Sequence, residues 1–234
     1  ISSKSKLDYK TNPILLKFDY YGELTHKIKI HPEKPFLVSS IDSDINGIVI
    51  GGILVTENIQ GILVRFTKEL KFKHSILIED IESFIHNIKI FDSNSYIISG
   101  YSIKDDNLFI SKIKYGENSS KYFILDKTLN CNSNIEINGN SIYYTHYNEQ
   151  DGFVHKLDSF FNVIWTKTLE FPSNIGNGIQ LVKQKNNRLT FNCYNEVDGS
   201  LLTHCDLSLN TCKTKILDNQ VIEIATFKLY DFNF

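Results

Sequence analysis

The chain of 234 residues has no Met and a single Ala, Ala225. Both residue types suit helix interiors, and a helical protein of this size rarely does without them. Long apolar runs are missing as well. The longest, around Ile48 to Val55, is interrupted by Gly51 and Gly52, so no membrane span is expected. Nor is there an excess of basic charge: 25 Lys and Arg stand against 27 Asp and Glu. Nucleic acid would call for a basic face, so no nucleic-acid partner is expected. The opening residues, Ile1-Ser2-Ser3-Lys4-Ser5-Lys6, are polar and unlike a signal peptide. Without an initial Met, the chain reads as a processed product or as an excerpt of a longer protein.

What is present favours strands. Sixteen Phe and 12 Tyr, beside many Ile, bring ring and branched side chains that fit a pleated surface. The clearest unit runs from Asp151 to Leu169: an alternating strand to Asp158, a turn over Ser159-Phe160-Phe161-Asn162, and a second strand through Trp165. Similar hairpins recur at Ile14 to Ile30, Gly61 to Ile76, Asn107 to Leu125 and Ser200 to Leu217. The equivalent positions Lys17, Arg65, Lys112, Lys156 and His204 are separated by 48, 47, 44 and 48 residues. A second strand pair precedes each later hairpin. The unit is therefore four short antiparallel strands in about 47 residues, the size of a β-propeller blade.

These repeats predict an all-β chain, a single β-propeller domain of about five blades. Four blades fall at 31–79, 80–127, 128–171 and 172–217. The fifth joins 1–30 to 218–234, with two strands from each terminus, Val221 to Ala225 and Phe227 to Phe234 supplying the C-terminal pair. Closing the ring in this way removes the open edges of a linear stack.

The stretch Asp151 to Leu169 resembles bacterial secreted and surface β-propeller repeats, whose blades follow a D-G-x-hydrophobic-x-K-hydrophobic-D-x-x-G-x-hydrophobic-W-x-K pattern. In that blade Asn162 is read as standing in for the usual Gly. The other blades match more loosely, keeping Gly22 and Gly116, and Trp165 is the only Trp. The resemblance implies a fold and no particular activity.

Several constellations are candidates for chemistry. Asp42, Asp44 and Asn46 have the alternate oxygen spacing of a calcium loop, but Ile53 stands where the loop's bidentate Glu belongs. A plain turn is the competing reading. The first strands of the blades carry Lys89, Glu136, Gln180 and Glu223, which a propeller would direct into its central channel. Glu136 and Glu223 are then the candidate acids of a glycosidase-like pair, against a solvated channel wall. The seven His lie at no zinc-ligand spacing, and no phosphate loop or nucleophile elbow occurs, so no metal or cofactor is expected. Cys205 and Cys212 flank the last hairpin turn. They would form either a cross-strand disulfide, supporting an oxidising compartment, or a pair of reduced thiols.

The function expected from these features is a non-catalytic binding module, extracellular, periplasmic or at the cell surface, that takes a protein or a glycan at its loop face. The alternatives are a polysaccharide-active enzyme, a hydrolase or lyase with carboxylates at the channel, and a structural subunit of a larger assembly.

Overall fold

A computed structural model of the chain describes residues 13–30, 34–79, 82–126, 133–147, 152–169, 179–185, 188–195, 199–206, 214–216 and 223–231. Their secondary structure is entirely β, and no helix long and apolar enough to cross a membrane occurs among them.

Ile14–Phe18 (β1) and Leu24–Lys29 (β2) form a hairpin. A first sheet follows, Phe36–Asp44 (β3), Gly47–Val55 (β4), Ile59–Thr67 (β5) and Phe72–Glu79 (β6), each strand antiparallel to the next. Ser83–Ile90 (β7), Ser95–Ser102 (β8), Asn107–Lys114 (β9) and Ser119–Asp126 (β10) repeat the arrangement as a second sheet. Ser133–Asn138 (β11), Ser141–Tyr147 (β12), Gly152–Leu157 (β13) and Val163–Leu169 (β14) make a third. Ile179–Lys185 (β15), Arg188–Asn195 (β16) and Gly199–Asp206 (β17) make a fourth, three strands wide. Thr214–Ile216 (β18) and Glu223–Asp231 (β19) complete the described chain. The four-stranded antiparallel units expected from the repeat are present in the first three sheets.

The C-terminal strands depart from expectation. β18, expected beside β17, pairs instead with β14 through Lys167↔Ile216, Thr168↔Lys215 and Leu169↔Thr214. β19 is one continuous strand rather than two, because Ala225-Thr226-Phe227 contains no residue that favours a turn. It does not join β1 and β2. It lies between β10 and β6, giving a nine-stranded order β3-β4-β5-β6-β19-β10-β9-β8-β7. Its first half pairs with β10, from Glu223↔Ile124, and its last residues pair with β6, to Asp231↔Ile76. Lys228 belongs to both ladders, opposite Ser119 and Glu79. Two outer strands with unpaired edges are thereby bridged by one.

The sheets stack, and an apolar core fills the intervals from the hairpin to the third sheet. Leu15 and Ile30 of the hairpin segment pack with Phe36, Ile50, Val64 and Phe66 of the first sheet. Val49, Leu63 and Ile76 meet Ile88, Ile98 and Phe109 between the first and second sheets. Ile97 and Ile110 meet Ile135, Tyr144 and Leu157 between the second and third. Middle strands are thus covered on both faces, so Gly61 to Phe66 is a continuous buried run rather than an alternating one.

Strands one repeat apart are joined along their first members. Ser40 Oγ accepts from Ile88 N (3.1 Å), Asp42 Oδ2 accepts from Ile90 N (2.7 Å), and Asn87 Nδ2 donates to Ser133 O. The period also shows in the backbone: the register shifts between Val38 and Ser40 and again between Ile85 and Asn87. Gly52 and Gly100 lie across from these bulges, where a Cβ would stand 2.1 Å from Leu37 O and Phe84 O respectively. Only a residue without a side chain fits that approach.

Candidate functional site

The turns that join first to second and third to fourth strands lie at the same end of every sheet, and the candidate site forms there. Five of these turns are organised by one polar side chain at the start, Asp44 in the first sheet among them. Asp19 Oδ1 accepts from Tyr21 N and Glu23 N, Thr67 Oγ1 from Glu69 N and Lys71 N, and Asp158 Oδ1 from Phe160 N and Asn162 N. Asp92 Oδ1 does the same for Asn94 N and Ser95 N. Such bonds replace the ladder bonds that a turn gives up.

Three residues after the leading side chain, three of these turns need a left-handed backbone. Gly22 supplies it in the first (φ 85°), but Leu70 (φ 61°) and Phe161 (φ 65°) adopt it without the freedom of glycine. The residue in the place of Gly is therefore Phe161, not Asn162 as the repeat pattern alone implies. Asn162 instead donates its Nδ2 to Asp158 Oδ2 at 2.8 Å. A bulky side chain at positive φ costs on the order of 1–2 kcal/mol and persists only where its surroundings impose it. Here the Phe161 ring is buried and stacked on Phe123, with centroids 4.9 Å apart and planes at 21°.

An open cleft of about 730 Å³ lies above that stack, between the outer part of the second sheet and the 158–162 turn of the third. Phe161 and Phe123 form its floor, and Phe160, 79% exposed, forms one lip. Along β10 Ser119, Lys121 and Phe123 line the cleft together with the buried Ser120, while Tyr122 is buried away from it. Lys112 on β9 enters from the same side, its Nζ 3.9 Å from the centroid of the Phe91 ring. Since Ser111 pairs with Tyr122, Lys112 and Lys121 are next to each other one step along the ladder. Neither is in an ion pair among the described residues. Asp92 is close enough to Lys112 for its charge to be felt, but its carboxylate is spent on the turn. Burial alone would raise the Asp92 pKa, and the N–H groups of Asn94 and Ser95 and the Lys112 charge reverse that, leaving it lowered. Glu117, the carboxylate in the lining, is held by Lys114 at 3.3 Å.

The predicted ring residues are distributed differently. Lys89 on β7 and Glu136 on β11 do meet, as an ion pair of 2.9 Å that is partly buried. Gln180 lies on β15, the first strand of the fourth sheet. Glu223 is on no first strand: it begins β19, beyond β10 at the outer side of the second sheet. Four strand spacings separate β19 from β7, about 19 Å. The channel pair expected of Glu136 and Glu223 requires both on first strands, and only Glu136 is on one.

The calcium-loop candidates are also engaged otherwise. β3 and β4 run on to Asp44↔Gly47, leaving a tight turn in which Asp44 Oδ1 accepts from Asn46 N and Gly47 N. The same oxygen takes Arg65 Nη2 at 2.6 Å, while Asp42 is turned to Ile90. Three oxygens do not converge there, because Asp42 is bonded across to the second sheet and Asp44 to its own turn and to Arg65 within the first. Among the described residues, no group of three or more His, Cys, Asp or Glu is placed to hold a metal ion. Cys205 is buried and disulfide-bonded, and Cys212 lies outside the described residues.

Two buried histidine clusters escaped the sequence reading. His74 Nε2 is 2.8 Å from Tyr96 Oη, and its ring stacks on Tyr115 at 3.9 Å. In the third sheet His155 Nδ1 is 2.9 Å from Thr166 Oγ1, and its Nε2 is 3.3 Å from Nδ1 of His146, the rings nearly parallel. Burial, helped by the charges of Lys73 and Arg65, lowers the His74 pKa to about 4. Burial and then His146 push His155 well below the ordinary value. Lys121, Phe123 and Phe160 were also missed; the legible signal was for the turn alone, Phe161 where the first hairpin has Gly22.

No protein-family model and no curated protein sequence matches the chain.

Proposed function

We propose that the chain is a non-catalytic binding module assembled from propeller-type blades and exposed outside the cytoplasm, with its ligand seated in the cleft between the second and third sheets. The observation that carries this reading is the lining of the cleft. Aromatic faces and two cations without ion-pair partners converge there, while its carboxylate, Glu117, is occupied by Lys114. Such a set of groups can hold a ligand by stacking and charge and offers no acid–base pair for turning it over. The 47-residue repeat and its hydrogen bonds between equivalent strands support the blade reading, and the disulfide at Cys205 supports an oxidising compartment.

The experiment is retention on mixed glycan and peptide arrays, comparing the wild-type chain with Phe160→Asp. Retention by the wild type that falls more than tenfold in the variant is the expected result. Equal retention by both places the ligand elsewhere. A bound glycan recovered in shortened form would replace the binding reading by the enzymatic one.

A further inference from the structure

We infer that the ligand of this cleft is a carboxylated oligosaccharide, a uronic-acid chain, held with its carboxylates against Lys112 and Lys121 and a sugar ring against Phe160. The inference rests on the binding reading above and narrows it to a ligand class.

Three observations carry it. Lys112 and Lys121 are neighbours on adjacent strands and face the same cleft, and neither is in an ion pair among the described residues. Like charges across a ladder are destabilising, and an anion between them removes that cost. Second, the strained Phe161 backbone holds the 158–162 turn so that one ring is locked on Phe123 while the next, Phe160, stands out at the lip. A flat, exposed ring presents an apolar face to the C–H side of a sugar, and Ser119, Ser159 and Asn140 around it suit hydroxyl groups. Third, β10 lies between two strands, paired with β19 from Ser119 to Ile124 and with β9 from Tyr122 onward. An extended peptide therefore has no free edge to extend there, and recognition falls to side chains. Charge density decides between acidic sugars. Two lysines flanked by Asp92 and Glu117 match one carboxylate per ring better than a densely sulfated chain, which the two acids would repel.

Calorimetric titration of the intact chain with four probes tests this: tetragalacturonate, maltotetraose, a heparin tetrasaccharide and an octaglutamate peptide. Tetragalacturonate is expected to bind most tightly and to weaken as salt is raised from 50 to 300 mM, in about the range where screening shortens to a few ångströms. Lys121→Gln and Lys112→Gln are each expected to weaken it about tenfold, and Phe160→Ala by a similar factor. Lys104→Gln, an exposed lysine in the turn at the opposite end of the second sheet, leaves it unchanged. Equal affinity for maltotetraose overturns the role of charge. Tighter binding of the heparin fragment or of octaglutamate, lost in Phe160→Ala, overturns the ligand class while the binding module stands. Failure of all four probes also overturns the ligand class, and the array comparison with Phe160→Asp then decides separately whether the cleft binds anything.

Discussion

The interval between the first and second sheets and the interval between the second and third are built from the same repeat, yet one is sealed and the other is open. Arg65 and Lys112 hold equivalent positions, 47 residues apart, each on a third strand. Arg65 is 1% exposed and bonded to Asp44. Lys112 is partly exposed, rests on Phe91, and is left by Asp92, the counterpart of Asp44, without an ion pair. The stack of His74 on Tyr115 closes one interval; the stack of Phe123 on Phe161 floors the other. β19 bridges the outer strands of the sealed pair, while β18 takes the outer edge of the third sheet and leaves the cleft uncovered. A repeated scaffold thus pairs one cation internally and leaves its copy at the edge of an open cleft.

The comparison breaks most directly at the two cations. Arg65→Ala leaves Asp44 without its countercharge and opens a void where the buried side chain stood, and is expected to cost about 3–5 kcal/mol. Lys112→Ala is expected to cost no more than about 0.5 kcal/mol, as for other partly exposed charges. Urea denaturation of both variants measures the difference. Equal losses would mean that both intervals depend on their cation for stability, and the division of roles would fall.

Acid acts on the sealed regions first. His74 and His86 have pKa values lowered to about 4, by burial above all, and burial with the neighbouring His146 holds His155 well below its ordinary value. A histidine whose folded pKa is depressed contributes stability that is complete above its unfolded pKa of about 6.5, and that is lost as pH falls through that value toward the folded one. His74 and His86 are each expected to remove about 1.4 kcal/mol per pH unit between roughly pH 6 and 4, and His155 steepens the fall in the same direction. Thermal melts across this range should show a steep fall, and His74→Phe should flatten it by about one third. A melting temperature constant from pH 7 to 4.5 would contradict the burial of these rings.

How far the sequence reveals this division is itself instructive. The 47-residue period and the four-stranded unit were legible because strands alternate within a sheet and turns carry Asp, Asn and Gly at fixed places. The fate of the last strand was not. Val221 to Asp231 has strand propensity whichever edge it joins, and only the two open edges of β6 and β10 decide that it runs between them. For the same reason Glu223 could be taken for a channel residue, whereas Lys89 and Glu136, on true first strands, do meet. The pairing of Arg65 with Asp44 was hidden because 21 residues separate them, and the acid also fits a metal-loop pattern. Phe161 was the most informative misreading. Its place three residues after Asp158 matches Gly22 after Asp19, so the departure was visible but assigned one residue too late.

That residue gives a sharper test of the floor of the cleft. Replacing Phe161 by Ala or by Gly removes the same stacked ring, so both variants should lose several kcal/mol. Outside a left-handed position Gly is the less stable of the two. At φ 65° the order is expected to reverse, with Phe161→Gly about 1 kcal/mol more stable than Phe161→Ala. Chemical denaturation of the two variants side by side reads the sign. The usual order, with Ala above Gly, would mean that the backbone there is not strained and that the exposed Phe160 is not held by it.

The smallest effect separates binding from stability most cleanly. Lys121 adds a second positive charge beside Lys112 without an ion pair of its own among the described residues, so the ligand-free chain carries a repulsion that serves nothing in the fold. Removing it in Lys121→Gln should raise stability by a few tenths of a kcal/mol at low salt, as expected for like charges facing across a ladder. Screening shortens the reach of that repulsion, so the gain should shrink at 0.5 M salt. Denaturation midpoints at the two salt concentrations provide the measurement. A variant that loses anionic ligand while becoming slightly more stable marks a residue kept for recognition at a cost to the fold. If the substitution is destabilising at both salt concentrations, Lys121 is a structural residue, and the open interval differs from the sealed one only in shape.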